Sequence, residues 1–179
     1  MKKGDNMQKI IVIGCPGAGK STFSRELRDK LKLPLYYLDM IWHKPDKTTI
    51  TCEEFDRKLS EILETDEWII DGNYNRTLEM RFKACDTVFF LDFEKNVCLS
   101  GARERVGKPR EDMPWVEEKT DEELEKFIED FSAAARPRIC SMTKKYKDKN
   151  IIILKTRDES QKYLRSIVYH GESQNNCKR

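Results

Sequence analysis

Residues Gly14-Cys15-Pro16-Gly17-Ala18-Gly19-Lys20-Ser21 spell G-x-x-x-x-G-K-[ST], directly after an apolar run over residues 10–13 and ahead of a helical pattern. Glycines at this spacing let consecutive backbone N–H groups turn inward on phosphate oxygens, in conformations that a Cβ would obstruct. Lys20 supplies a positive charge for the β- and γ-phosphates and Ser21 a hydroxyl for Mg²⁺, while the following helix aims its positive end at the anion. The expectation is a bound mononucleotide, with Gly14, Pro16, Gly17, Ala18, Gly19, Lys20, Ser21 and Thr22 around its phosphates. A chance glycine-rich turn would not combine the fixed motif positions with a strand-loop-helix context.

Phosphoryl transfer depends on positioning and charge neutralisation more than on covalent chemistry, so Mg²⁺ carboxylates and convergent arginines are its next requirement. Strand-like runs at 35–38, 68–70 and 87–91 are each followed at once by an aspartate: Asp39, Asp71 and Asp92. In an open parallel sheet the carboxyl ends of the strands are where ligands bind. Asp71 is the candidate for holding Mg²⁺ with Ser21, through water. A strand-end aspartate can instead cap the next helix, a reading that weighs more for Asp92 than for Asp71. Asp39 and Trp42 are expected to line an acceptor pocket, with Asp39 orienting a substrate hydroxyl or standing one shell out from Mg²⁺. Tyr74 is placed to stack on a base, and Trp42 would serve nearly as well as plain core. Arg76, Arg81, Arg103, Arg105, Arg110, Arg136 and Arg138 fall near the ends of expected elements or in an insertion. A guanidinium grips phosphate oxygens with two parallel bonds, so about half of these arginines are expected to touch ligand, the rest being solvated charges.

The elements that must position these groups alternate between short apolar runs and helical periods. Phe23, Leu27 and Leu31 recur at helical spacing after the first run, and residues 35–38 then give a second strand. A second amphipathic helix with Phe55, Leu59, Ile62 and Leu63 is expected to start near Thr51. Thr120-Asp121-Glu122-Glu123 reads as a capping box for a long helix with Leu124, Phe127, Ile128, Phe131 and Ala135 on one face, continuing past Pro137 with a kink. A strand at 151–154 and a helix around 163–167 complete five strands in a right-handed α/β wind. Two polar segments, 42–51 and 107–119, carry Pro45, Pro109 and Pro114 and exceed the usual short connection. At the ligand end of a sheet such segments are candidate lids, since water must be kept from a transferring phosphoryl; the plainer alternative is inert surface loop. Residues 170–179 are polar without an apolar period and read as a frayed tail.

A chain of 179 residues, 38% hydrophobic and 37% charged, reads as one soluble domain able to fold alone. The net charge of +2 argues for neither nucleic acid nor a membrane surface as partner, and no apolar stretch approaches the ~20 residues of a membrane span. Six scattered cysteines without a C-x-x-C pair, beside two histidines, suggest reduced thiols and a cytoplasmic location rather than a disulfide framework or a zinc site. Cys15 sits in a variable position of the phosphate loop, where oxidation would block nucleotide, although a tolerated small side chain is the plainer reading.

The phosphate loop, the segments Tyr37-Leu38-Asp39-Met40-Ile41-Trp42 and Ile69-Ile70-Asp71-Gly72-Asn73-Tyr74-Asn75-Arg76-Thr77, and Arg110-Glu111-Asp112-Met113-Pro114 together resemble the adenylate kinase-like P-loop kinases. The nearest branch in pattern is the one usually labelled "DNA topology modulation protein" (FlaR-related), and the likeness spans roughly residues 8 to 168. It implies a three-layer α/β P-loop fold, nucleoside monophosphate kinase-like, with a five-stranded parallel sheet of order 2-3-1-4-5. It also implies an acceptor region between strands 2 and 3 and a lid after strand 4. Asp71-Gly72 with Arg76-Thr77 is similar to the adenylate kinase segment whose Asp serves Mg²⁺ and whose Arg binds the acceptor phosphate, with one extra residue between the Gly and the Arg. Arg105 and Arg110 match the family's lid arginines, and Arg136 and Arg138 resemble those reaching back from the helix after the lid. The branch often carries an arginine where this chain has Gly101, for which Arg103 is a substitute.

The resulting expectation is a kinase of Mg·ATP, monomeric or a weak homodimer, with Lys20, Asp39, Arg105, Arg110 and Arg136 as catalytic groups and Ser21 and Asp71 at the metal. Asp39, Trp42, Tyr74, Arg76, Arg81 and Arg138 would hold a small-molecule acceptor. A nucleotide acceptor needs arginines but no base, and the arginine count favours it; a sugar or hydroxy-acid acceptor would use Asp39 as base. A nucleic-acid-associated regulator fits the branch label but not the near-neutral charge, nor the lack of a helix-turn-helix or basic stripe. A nucleotide-gated switch without transfer is the third class.

Overall fold

The computed structural model describes residues 7–119 and 121–167, so the expected tail at 170–179 lies outside the described residues. Five parallel strands form one sheet: β1 (Lys9–Gly14), β2 (Leu35–Tyr37), β3 (Trp68–Asp71), β4 (Thr87–Leu91) and β5 (Asn150–Leu154). Their spatial order is β2-β3-β1-β4-β5, as the family resemblance implies. The three central strands are uninterrupted apolar runs because both of their faces are covered, the pattern of a parallel sheet between helical layers. Phe89 on β4 meets Phe23 of α1 (Lys20–Leu31) at 5.0 Å and Tyr163 of α8 (Arg157–Ser166) at 5.1 Å between ring centroids. Phe82 of α4 (Leu78–Ala84) instead lies 5.7 Å from Tyr146, which follows α7 (Arg136–Lys145). Edge strands β2 and β5 are only partly buried, and Ile153 is an exposed large apolar side chain.

The register brings the chemistry to one rim. Tyr37 and Val12 both stand beside Asp71, and Gly14 stands beside Leu91, so the carboxyl ends of β2, β3, β1 and β4 open into the same space. Between β2 and β3 the chain forms α2 (Leu38–Trp42) and α3 (Cys52–Glu64); α3 starts where expected, with the Thr51 hydroxyl accepting from Glu54 N at 3.1 Å. A 3-10 turn at Asn75–Thr77 leads from β3 into α4. After β4 come α5 (Lys95–Arg103), the irregular segment that includes 107–119, and α6 (Glu122–Ala134).

Several boundaries differ from the sequence reading. Leu38 opens a helix instead of ending β2, because its fully buried side chain packs under Gly72, and Asp39 therefore occupies the first turn of α2. Segment 42–51 is a tight reversal rather than a free loop, with His43 bridging Thr49 and Ile50 N donating to Trp42 O at 3.0 Å. Asp121 caps α6, accepting from Glu123 N at 2.9 Å; Thr120, expected as cap, lies outside the described residues. The expected kink at Pro137 is a break at Ala135, after which Pro137 fits the first turn of α7, where no N–H is required. The last helix begins at Arg157, earlier than its apolar period suggests, because the Thr156 hydroxyl accepts from Glu159 N at 3.1 Å.

Candidate active site

The phosphate loop joins β1 to α1 and turns on Gly17, whose φ is +79°. A Cβ there would lie 1.9 Å from the Cys98 carbonyl oxygen of α5, so only glycine permits this approach. Gly101, one turn further along α5, is constrained by the same contact: its Cβ would lie 2.2 Å from Gly17 O and 3.0 Å from a guanidinium nitrogen of Arg157. Asn73 holds the other side of the loop, accepting from Gly14 N at 3.0 Å and donating to Gly14 O at 2.7 Å. Lys20 curls back so that its ammonium donates to Cys15 O at 3.2 Å, while α1 points its N-terminal amides into the cleft. Cys15 is buried, and its hydrogen bond with Cys98, reinforced by burial, raises its thiol pKa and keeps it protonated.

Above the loop is a cleft of about 1510 Å³. Of the expected groups, Pro16 to Thr22, Asp39, Asp71, Tyr74, Arg105 and Arg110 line it, whereas Gly14, Trp42, Arg76, Arg81, Arg136 and Arg138 do not. Asp71 closes β3 with a side chain 4% exposed, and its Oδ1 is buried without a hydrogen-bond partner. Burial pushes its carboxyl up to about 6 against the opposing pull of Lys20 and Ser21; Asp39 and Asp112 add to the rise. A buried, unpartnered carboxylate oxygen next to a serine hydroxyl and a cluster of inward amides fits a hydrated cation carrying a phosphate. Among the described residues no three His, Cys, Asp or Glu side chains form a metal cage, so the cation would keep waters and phosphate oxygens as ligands.

Asp39 accepts from the Tyr74 hydroxyl at 2.8 Å, which fixes its orientation toward the cleft. Tyr74 is not free to stack on a base as expected: its ring lies 5.0 Å from Phe55 at 24°, burial raises its pKa, and Asp39 adds to the rise. Trp42 belongs to the same cluster, edge-on to Phe55 and Tyr74, and is packing rather than pocket wall.

Five arginines stand in places other than those expected. Arg81 is fully buried and donates to the carbonyls of Gly72, at 2.7 Å, of Asn73, and of Tyr74, at 3.1 Å. Burial pulls its pKa down to about 9, which leaves it charged at neutral pH, and its position makes it a brace for the 72–74 turn rather than an acceptor contact. Arg76 faces outward, paired with Asp56 at 2.5 Å and lying over the Phe55 ring. Arg136 forms a bidentate pair with Asp92, both bonds 2.8 Å, beside a second cavity of about 730 Å³. Arg138 is exposed on α7. Arg103, the suggested stand-in for the position of Gly101, pairs with Glu125 away from the cleft, and the guanidinium nearest Gly101 is that of Arg157.

The segment 107–119 lies across the cleft and is closed at its base by Gly107 N donating to Glu117 O at 2.7 Å. Arg105 donates to Glu117 at 2.9 Å, and Arg110 stands 3.6 Å from both Asp112 and Glu117. The Ser21 hydroxyl donates to Asp112 Oδ2 at 2.8 Å, Arg28 pairs with Glu111 at 3.2 Å, and Trp115 meets the His43 ring edge-on at 5.0 Å. Asn73, Asp112, Glu117 and Arg157 are the site groups that sequence reasoning did not single out. Asp112 and Asn73 stand inside quoted segments, yet nothing in their residue types separates them from solvated neighbours.

This fold and loop define the P-loop kinase architecture. The chain has 18% identity and a TM-score of 0.55 to a shikimate kinase from Bacteroides thetaiotaomicron, covering 89% of this chain and 96% of that one. A shikimate kinase from Acinetobacter baumannii, solved with shikimate, gives 17% identity and a TM-score of 0.59 over 90% of this chain and 93% of that one. A sugar kinase from Janibacter sp. gives 15% and 0.53, over 89% and 91%. In sequence the chain is 30% identical over 88 residues to an adenylate kinase of Thermotoga neapolitana, 48% of this chain and 39% of that relative's length. No family model matches the chain. Among the described residues no helix is long and apolar enough to cross a membrane.

Proposed function

We propose that the protein is a Mg·ATP-dependent kinase of a small hydroxyl-bearing acceptor, with Asp39 as the base. The observation that carries the choice of acceptor is the placement of the arginines. Arg76, Arg81 and Arg138, the groups expected to grip an acceptor phosphate, stand outside the cleft, while Asp39 lines it with Oδ1 accepting from the Tyr74 hydroxyl. A hydroxyl acceptor must lose a proton as the new bond forms, and a carboxylate within reach of that proton contributes about 10²–10⁴ in rate. The loop amides and Lys20 hold the donor phosphates, Arg105 and Arg110 face the charge that develops on the transferring group, and the 107–119 segment excludes water. Ser21 and Asp71 would hold Mg²⁺, which when bound neutralises phosphate charge. The shikimate and sugar kinases of like fold support this reading.

A nucleotide acceptor is the second reading, favoured by the adenylate kinase likeness and by the basic side chains Arg25 and Lys47, which also line the cleft. One assay separates the two: ADP release from Mg·ATP, followed across a panel of nucleotides, nucleosides, sugars and hydroxy acids, with Lys20→Ala as control. Stimulation by a sugar or hydroxy acid supports the first reading and stimulation by nucleotides the second. No stimulation by any acceptor, with no Mg·ATP-induced thermal stabilisation, refutes both.

A further inference from the structure

We propose that Asp112 is the third protein group of the divalent-cation site formed with Ser21 and Asp71, so that the cation fastens the 107–119 segment to the phosphate loop. The inference rests on the kinase reading above and adds a group that the phosphate-loop motif does not contain. Asp112 stands in a polar, irregular segment, yet it is only 6% exposed, and its Oδ2 accepts from the hydroxyl of Ser21, the residue placed to ligate the metal. Independently, Asp71 lines the same cleft with one carboxylate oxygen buried and unpartnered, an arrangement that costs free energy unless a cation approaches it.

The charge balance points the same way. Asp39, Asp71 and Asp112 interact electrostatically within a cleft whose loop amides and helix terminus are arranged to attract anions. Three carboxylates beside a polyphosphate would repel it, and among the cations at the cleft Arg105 and Arg110 are already engaged with Glu117. A divalent ion between the carboxylates and the phosphates turns that repulsion into attraction. Mg²⁺ is commonly held by one or two carboxylates with phosphate oxygens and waters, which is what Asp71 and Asp112 offer beside Ser21. Arg110 stands 3.6 Å from Asp112 Oδ2, the oxygen that accepts from Ser21. A cation held in this way would tie the segment to the phosphate loop and keep Arg105 and Arg110 at the cleft.

The test measures ADP affinity of the full chain by calorimetry, in Mg²⁺ and in EDTA, for wild type, Asp112→Asn and Lys20→Ala, with ligand-free melting as the check on folding. Asp112→Asn should lose about tenfold or more of the Mg²⁺-dependent gain in ADP affinity, the scale of losses seen when groups around a metal are removed, while binding metal-free ADP at least as tightly as wild type because one repelling charge is gone. An unchanged Mg²⁺-dependent gain overturns the proposal. So does tighter binding by one factor in both buffers, which would make Asp112 a latch that merely holds the empty lid shut. If wild type binds no ADP and Lys20→Ala matches it, the kinase reading itself falls and the proposal with it. A measurement on unmutated protein stands beside these: Fe²⁺ bound in place of Mg²⁺, with ascorbate and oxygen, should cut the backbone near residues 21, 71 and 112. Cuts near 21 and 71 that spare the lid would overturn the assignment of Asp112.

Discussion

Replacing Arg81 by methionine separates a brace from a substrate contact. The side chain is fully buried, and its two terminal nitrogens satisfy the carbonyls of Gly72, Asn73 and Tyr74. Methionine fills much of the volume but donates nothing, leaving three carbonyls to find water or go unpaired at about 1–3 kcal/mol each. Asn73 and Tyr74 are only partly buried, so water can reach them and their share falls at the low end, while the carbonyl of buried Gly72 takes the larger penalty. Relief of the guanidinium's own desolvation offsets part of the loss, giving a net destabilisation of about 3 kcal/mol, at the lower edge of what breaking a buried charged group costs. In a chain of this size that lowers Tm by about 6–12 °C. The damage should also reach the phosphate loop, since the 72–74 turn carries the Asn73 amide that clasps Gly14. Urea unfolding measures the first effect and ADP affinity the second. An Arg81→Met protein within about 0.5 kcal/mol of wild type, but unable to use acceptor at saturating ATP, would refute this account and return Arg81 to the substrate.

Asp39→Asn should lower turnover by about 10²-fold or more with Mg·ATP-induced stabilisation nearly intact; equal loss of both, read in one thermal-shift and turnover series, would move Asp39 to the metal. Gly101→Ala would ordinarily stabilise a helix by about 0.5–1 kcal/mol, but here the new Cβ meets Gly17 O. Chemical unfolding should show destabilisation instead, and calorimetry a weakened nucleotide affinity; a gain in stability with unchanged affinity would show that the loop does not rest on α5. Asp92 is partly buried, which alone would raise its pKa, yet its bonds to Arg136 and Lys155 outweigh that and hold it below the usual carboxylate range. A depressed folded pKa adds stability above about pH 4 that is lost as pH falls through the folded value, so Asp92→Asn should cost about 1 kcal/mol at pH 7. The deficit should vanish in acid melts, and a deficit that persists there would place it in packing rather than charge.

What was legible in the sequence was what repeats locally. Continuous apolar runs at β1, β3 and β4 announce strands covered on both faces, and Thr51 announces α3, because each signal is complete within a few residues. The arginines were not legible in that way. Arg76 and Arg81 stand five positions apart on one short stretch, yet one faces Asp56 in solvent and the other is enclosed beneath the turn after β3. A guanidinium's role is decided by which carbonyls or carboxylates the tertiary fold brings to it, and no local pattern encodes them. Asp112 failed to stand out for the converse reason: an acid in a proline-bearing polar segment reads as solvated until the fold lays it on Ser21.

Three of the cleft's basic groups share a further property that bears on how it would respond to a polyphosphate. Lys20 holds the Cys15 carbonyl, Arg105 holds Glu117, and Arg110 stands between Asp112 and Glu117, so each of the three already has a partner inside the protein. A simple anion entering the cleft must break these contacts and gains only a like-for-like exchange. An anion that arrives with a divalent cation offers both halves of the exchange at once: phosphate oxygens for the arginines and lysine, metal for the carboxylates they leave. The energetic advantage would therefore fall on metal–nucleotide over free phosphate or free nucleotide, and it would follow from the pairing of charges across the 107–119 segment rather than from the phosphate loop alone.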